Sequence, residues 1–170
     1  MEAYKKPSVC HEKNTVYMEE LMPIIRERLE AGMSIKFSPH GTSMLPMLRE
    51  DIDSVVLSPP PERLKKYDLP LYQREDGSYV LHRVIKVGKS YSCVGDNQFK
   101  YERGVEHQQI IGVVTAFIKD NKEHSVDECR YRIYCRTRHF SRPVRYLWLV
   151  IKRYLRRIVR KVFIKTYKTR

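Results

Sequence analysis

Three short segments of the chain carry the side chains that hydrolytic chemistry without a metal requires. Phe37 to Leu48 reads FSPHGTSMLPML, Leu81 to Val84 reads LHRV, and Gly95 to Asn97 reads GDN. A serine hydroxyl is a weak nucleophile near neutral pH, so it acts only beside a general base that is itself held by a third group. Alone, Ser43 in GTSMLP reads as a turn residue whose hydroxyl bonds nearby backbone, and GDN reads as a turn that ends a strand. His82 stands out among the six histidines because it interrupts an apolar alternation, between Val80 and Val84. A ring there belongs either to a satisfied core or to a site. His40 is the rival base, being close to Ser43 in sequence, but neighbours on an extended strand point to opposite faces. His11, His107, His124 and His139 lie in polar surroundings and read as surface residues.

In this order, Gly-x-Ser-Met-x-Pro at 41 to 46, His-Arg-Val at 82 to 84 and Gly-Asp-Asn at 95 to 97 resemble the signature of the S24/S26 serine peptidases. That superfamily contains the type I signal peptidases and the LexA-type self-cleaving repressors, and the resemblance covers about Ser34 to Ile118. It implies a mainly β, signal-peptidase/LexA-like coiled β-sheet peptidase fold and an endopeptidase that cuts a leader or signal-like peptide. Ser43 is implied as nucleophile, His82 as general base and Asp96 as the group that positions His82. Gly41, Met44, Pro46, Arg83, Gly95 and Asn97 are implied as structural residues of the motifs. The bacterial signal peptidases and LexA-like proteins use lysine where His82 stands here. The archaeal and endoplasmic-reticulum signal peptidases use histidine in a similar His-Arg sequence, so the resemblance is to the Ser/His branch. Some members place a serine two residues before the nucleophile, whereas here that place is Gly41, which leaves the oxyanion to backbone donors such as the Ser43 N–H. The relatives with histidine often carry a further aspartate shortly after Gly-Asp-Asn; here the acidic residue in that area is Glu102. Asp68, in KKYDLPLY, falls where the family often has Gly-Asp and reads as structural. The different-class alternative is a non-catalytic β module of the same fold that binds a peptide or partner. No cofactor and no metal is implied.

The elements that must position these residues are mostly strands. Turn residues separate Ser34 to Ser38, Asp53 to Leu57, Leu69 to Gln73, Tyr79 to Val87, Ser90 to Val94 and Ile110 to Ile118, each with strand composition. Glu75, Asp76 and Gly77 suit one hairpin turn, and Gly88 and Lys89 another. Before them, Val16 to Ala31 places Leu21, Ile24, Ile25 and Leu29 near one helical face, with Pro23 as a start or kink and Gly32 as a stop. No second helix stands close enough to make a helix-turn-helix. At 170 residues the chain has the length of one domain with appendages. The expected division is 1–33 for the N-terminal tail and helix, 34–119 for the β domain, 120–142 for a basic connector and 143–170 for a C-terminal helix.

The net charge of +13 belongs to the end of the chain, because residues after Glu128 hold 15 of the 33 Lys and Arg and none of the 20 Asp and Glu. From Val144 onward Leu147, Ile151, Leu155, Ile158 and Val162 fall on one helical stripe, with Lys152, Arg153, Arg156, Arg157, Arg160 and Lys161 opposite. Such a basic amphipathic helix suits an anionic membrane surface, with Trp148, Tyr146 and Tyr154 at interfacial depth. Packing of the stripe on the β body ranks second. Nucleic acid ranks third, since charge alone reads neither base nor groove. No stretch resembles a signal-peptide core or a membrane span, so the expected place is cytoplasmic or peripheral at a membrane. Cys10, Cys93, Cys129 and Cys135 match no common zinc spacing. Cys129, Cys135 and His139 could hold a metal, but separate thiols are the simpler reading.

Overall fold

The computed structural model describes residues 18–168. Cys10 and His11 lie outside them, as does most of the expected N-terminal tail. In chain order the elements are α1 (Met18–Glu30), β1 (Ile35–Phe37), β2 (Ser54–Ser58), β3 (Pro70–Gln73), β4 (Tyr79–Leu81), β5 (Arg83–Val87), β6 (Tyr91–Val94) and β7 (Glu102–Val105). Then come β8 (Ile110–Lys119), β9 (Lys122–Ser125), α2 (Cys129–Phe140) and α3 (Arg142–Lys168). The chain is mainly β, with a helix before the strands and helices after them. The larger sheet runs β1-β2-β8-β3-β4 with β9 paired to β8, and the smaller runs β5-β6-β7; every pairing is antiparallel.

Alternation decides which faces are covered. In β2 Val55 and Leu57 are buried while Ser54, Val56 and Ser58 are half-exposed, the period of two that one covered face produces. α1 lays Met22, Ile25 and Leu29 over this face, joining Phe37, Leu69, Leu71, Val114 and Phe117 in the main core. Each such fully buried side chain contributes about 2 kcal/mol. Ile24, expected on the same stripe, is half-exposed, and Met22 takes the inward position instead. The helix runs through Pro23 and ends before Gly32, whose φ of +74° suits glycine. A second core, under the smaller sheet, gathers Leu64, Tyr72, Val84, Tyr91, Cys93, Val105 and Ile110.

Two expectations about segmentation are corrected. Tyr79 to Val87 is two strands broken at His82: Leu81 pairs with Leu71 in the larger sheet, while Arg83 pairs with Val94 in the smaller. His82 is therefore the residue at which the chain crosses between sheets. Residues 120–142, expected as a connector, fold into β9 and α2. Asp120 and Asn121 both have positive φ, of 50° and 60°, the two-residue turn that suits the twist of a hairpin. α2 then seals the main core with Tyr131 and Cys135.

Candidate active site

Ser43 sits in a run of turns between β1 and β2, fixed by what surrounds it. Met44, Met47 and Leu48 are buried in the main core, so apolar burial pins the turn from below. From the other side Asn97 donates its backbone N–H to Ser43 O at 2.8 Å and its amide to Thr42 O at 3.2 Å. Gly41, at φ +98°, donates its N–H to Glu50 Oε1 at 2.9 Å, so that donor is engaged away from the serine. Pro46 is exposed on the outer side of the turn.

Gly95 is where the three sequence segments meet. A Cβ placed on it would lie 3.2 Å from His82 Nε2, 3.2 Å from Ser43 Cβ and 2.7 Å from Ser43 O. The hydroxymethyl group and the ring nitrogen thus flank one point that only a glycine leaves empty. Oγ and Nε2 are not hydrogen-bonded to each other, as is common before substrate closes a site. Gly95→Ala is expected to lower turnover by at least about tenfold, because its methyl group must displace the serine turn or the ring. Thermal unfolding beside steady-state cleavage checks it; unchanged turnover would remove Gly95 from the site.

The ring of His82, 1 % exposed, turns its other nitrogen to Glu102. Nδ1 lies 3.1 Å from Glu102 Oε1 and 3.4 Å from Tyr72 Oη. This corrects the expected role of Asp96. The Asp96 carboxylate is held by Arg83, with Nε to Oδ1 at 2.9 Å and Nη2 to Oδ2 at 2.7 Å, and it also accepts from Tyr134 Oη at 3.0 Å. The β5–β6 register sets this pairing, since Arg83 opposite Val94 brings the guanidinium beside the next turn. Arg83 further donates to Tyr131 Oη and Tyr67 O, so Arg83 and Asp96, both fully buried, join the β body to α2.

The acid at the histidine is Glu102, first residue of β7, opposite Cys93. In the sequence it stands only as the acidic residue after Gly-Asp-Asn, and the β6–β7 register is what carries it to the ring. Arg74 grips the same carboxylate, its Nη2 on Oε1 and its Nε on Oε2 at 3.0 Å, while Tyr72 donates to Oε2 at 2.6 Å. Burial works against charge on Glu102, but these donors and His82 outweigh it and hold the carboxyl below its usual range. Burial lowers the proton affinity of His82; Glu102 opposes this and Arg74 reinforces it, leaving the ring neutral near pH 7. In the tautomer that carries its proton on Nδ1, the nitrogen 3.1 Å from Glu102 Oε1, a neutral ring keeps Nε2 as an acceptor on the side of Ser43.

Arg74→Gln should make the sign of this coupling visible. Loss of a nearby cation favours protonated His82, so its pKa should rise and the acid limb of kcat/KM should move to higher pH. Titration of the histidine ring signals by NMR measures this directly. A fall would mean that Glu102 had swung away from the ring.

His40, the rival base, is 70 % exposed, with Nε2 2.9 Å from Glu50 Oε1 and Nδ1 3.5 Å from Asp51 Oδ1. Among the described residues these three are the only His, Cys, Asp or Glu group close enough to share a metal; Cys129, Cys135 and His139 do not converge. Beside Ser43 is a pocket of about 80 Å³ lined by Pro39, His40, Gly41, Met44, Leu48 and Tyr79 to Leu81. On the far side of Glu102 a wider groove of about 750 Å³ runs along β7 past Phe99 and Tyr101. The chain matches no protein-family model, no curated protein and no solved structure.

Proposed function

We propose that the chain is a serine endopeptidase of the S24/S26 type, with Ser43 as nucleophile, His82 as base and then acid, and Glu102 holding His82. The observation that carries the reading is that Ser43 Cβ and His82 Nε2 flank Gly95 while Glu102 meets the opposite ring nitrogen. Ser43 Oγ attacks the scissile carbonyl carbon as Nε2 takes its proton, and the imidazolium is stabilised by Glu102. The oxyanion meets the Ser43 N–H. His82 then returns the proton to the leaving amine, and water releases the acyl group by the reverse sequence.

Substrate shape follows from the surroundings. Among the described residues β4 pairs only with β3, so its outer edge can take an extended segment in backbone hydrogen bonds. The pocket next to Ser43 has room for a small side chain beside the scissile bond. A leader or signal-like peptide with a small residue there fits both features. The test is a peptide-library digest read by mass spectrometry, comparing wild type with Ser43→Ala. Cleavage by wild type alone, after small residues, is expected. Identical digests would leave a non-catalytic module that only binds peptides.

A further inference from the structure

α3 meets the rest of the chain with its polar side. Arg142 donates to Gly95 O at 3.4 Å and lies over the Tyr101 ring, Arg145 donates to Asp96 O at 3.2 Å, and Tyr146 packs edge-on against Phe99. A helix that closes a core does the reverse and buries its apolar stripe. Here Leu147 is 60 % exposed and Trp148 64 %, with Val144, Ile151, Leu155 and Ile158 also open to solvent. The ranked alternative of a stripe packed on the β body is therefore corrected. Lys152, Arg153, Arg156, Arg157 and Arg160 are exposed as well; Val162 and the Lys161 side chain lie outside the described side chains.

We propose that α3 docks flat on the surface of a bilayer rich in anionic phospholipid. Helical periodicity puts the exposed apolar residues on one face and these cations on the other. An interface supplies a partner to both, with acyl chains for the stripe and phosphates for the cations. Arg142–Lys168 contains no acidic residue, so a second copy of the helix would bring like charges together. Nucleic acid would neutralise the cations and leave the stripe in water. Among the described residues no helix is long and apolar enough to cross a membrane, which leaves the in-plane position. The inference is independent of whether Ser43 cuts peptides.

Trp148 is the only tryptophan of the chain and reports on the stripe. The full chain is mixed with phosphatidylcholine vesicles with or without phosphatidylglycerol, including lipids brominated in the acyl chains. Binding to the anionic vesicles, a blue shift of Trp148 emission and quenching by the brominated chains are expected, with binding weakened by added salt. Leu147→Glu with Ile151→Glu, at exposed positions that leave the fold intact by thermal unfolding, should weaken binding by at least about tenfold. Point variants are used because deleting α3 would also remove the contacts to Gly95 and Asp96. Lack of binding, binding with Trp148 still in water, or a blue shift produced without lipid by self-association or by RNA would each overturn the proposal.

Discussion

Alanine at Ser43 or His82 is expected to lower turnover by about 10⁶-fold, and glutamine at Glu102 by about 10⁴-fold. In the proposed mechanism serine and histidine act as one unit, so the double variant should be no worse than either single one. Glu102→Gln keeps the size of the side chain and its place between Tyr72 and Arg74. What it loses is the charge that, in the proposed mechanism, stabilises the imidazolium formed as Ser43 gives up its proton. The expected pattern is a collapse of kcat with KM little changed, since Glu102 lies behind the ring and away from the pocket at Ser43. Steady-state kinetics on a single peptide from the digest checks the series. Full turnover by Glu102→Gln would remove Glu102 from the mechanism.

Asp96→Asn is expected to act on stability, destabilising the fold by about 3–5 kcal/mol. Arg83 is fully buried, and burial alone would favour losing its proton; Tyr131 and Asp96 keep it firmly charged. Asparagine leaves that charge without a counter-ion in a site closed to water. One Arg83 donor bonds Tyr131 and another Met47 Sδ, so the loss reaches both α2 and the serine turn. Urea unfolding should show a lower midpoint with an unchanged slope. The fraction that stays folded should retain most of its turnover, the opposite of the outcome for Glu102→Gln. Replacing both partners with apolar residues, Arg83→Met with Asp96→Leu, should recover part of the lost stability because no lone buried charge is left.

The contrast between these two carboxylates marks where sequence reading stops. Ser43, His82 and Gly95 are legible because their motifs are local and ordered along the chain. The strands of the body are legible too, from alternation between turns such as Asp76-Gly77. Which acid meets His82 depends on register, and register is set by pairings between distant segments. Asp96 follows immediately on the glycine that touches the ring, yet Arg83 takes its carboxylate. Glu102 arrives through β7, a four-residue strand with Gly104 inside it that gives no alternation to read. The break at His82 is hidden for a related reason, since the apolar pattern continues across it while the hydrogen-bonding partner changes. α2 escapes notice because only Tyr131 and Cys135 of its twelve residues are buried, too few for a clear stripe. In α3 the stripe is plain in the sequence, but its direction is set by arginines that bond the far loop.

Those arginines also order events in time. Arg138 Nε and Arg145 Nη1 both donate to Asp96 O, Arg142 to Gly95 O, and Arg138 Nη2 to Leu45 O. The main chain on both sides of the gap between Ser43 and His82 is thus braced by residues translated after every member of the site. A nascent chain that has released Ser43, His82 and Glu102 from the ribosome still lacks the braces, so the proposed site takes its full set of main-chain contacts only after Arg145 has emerged.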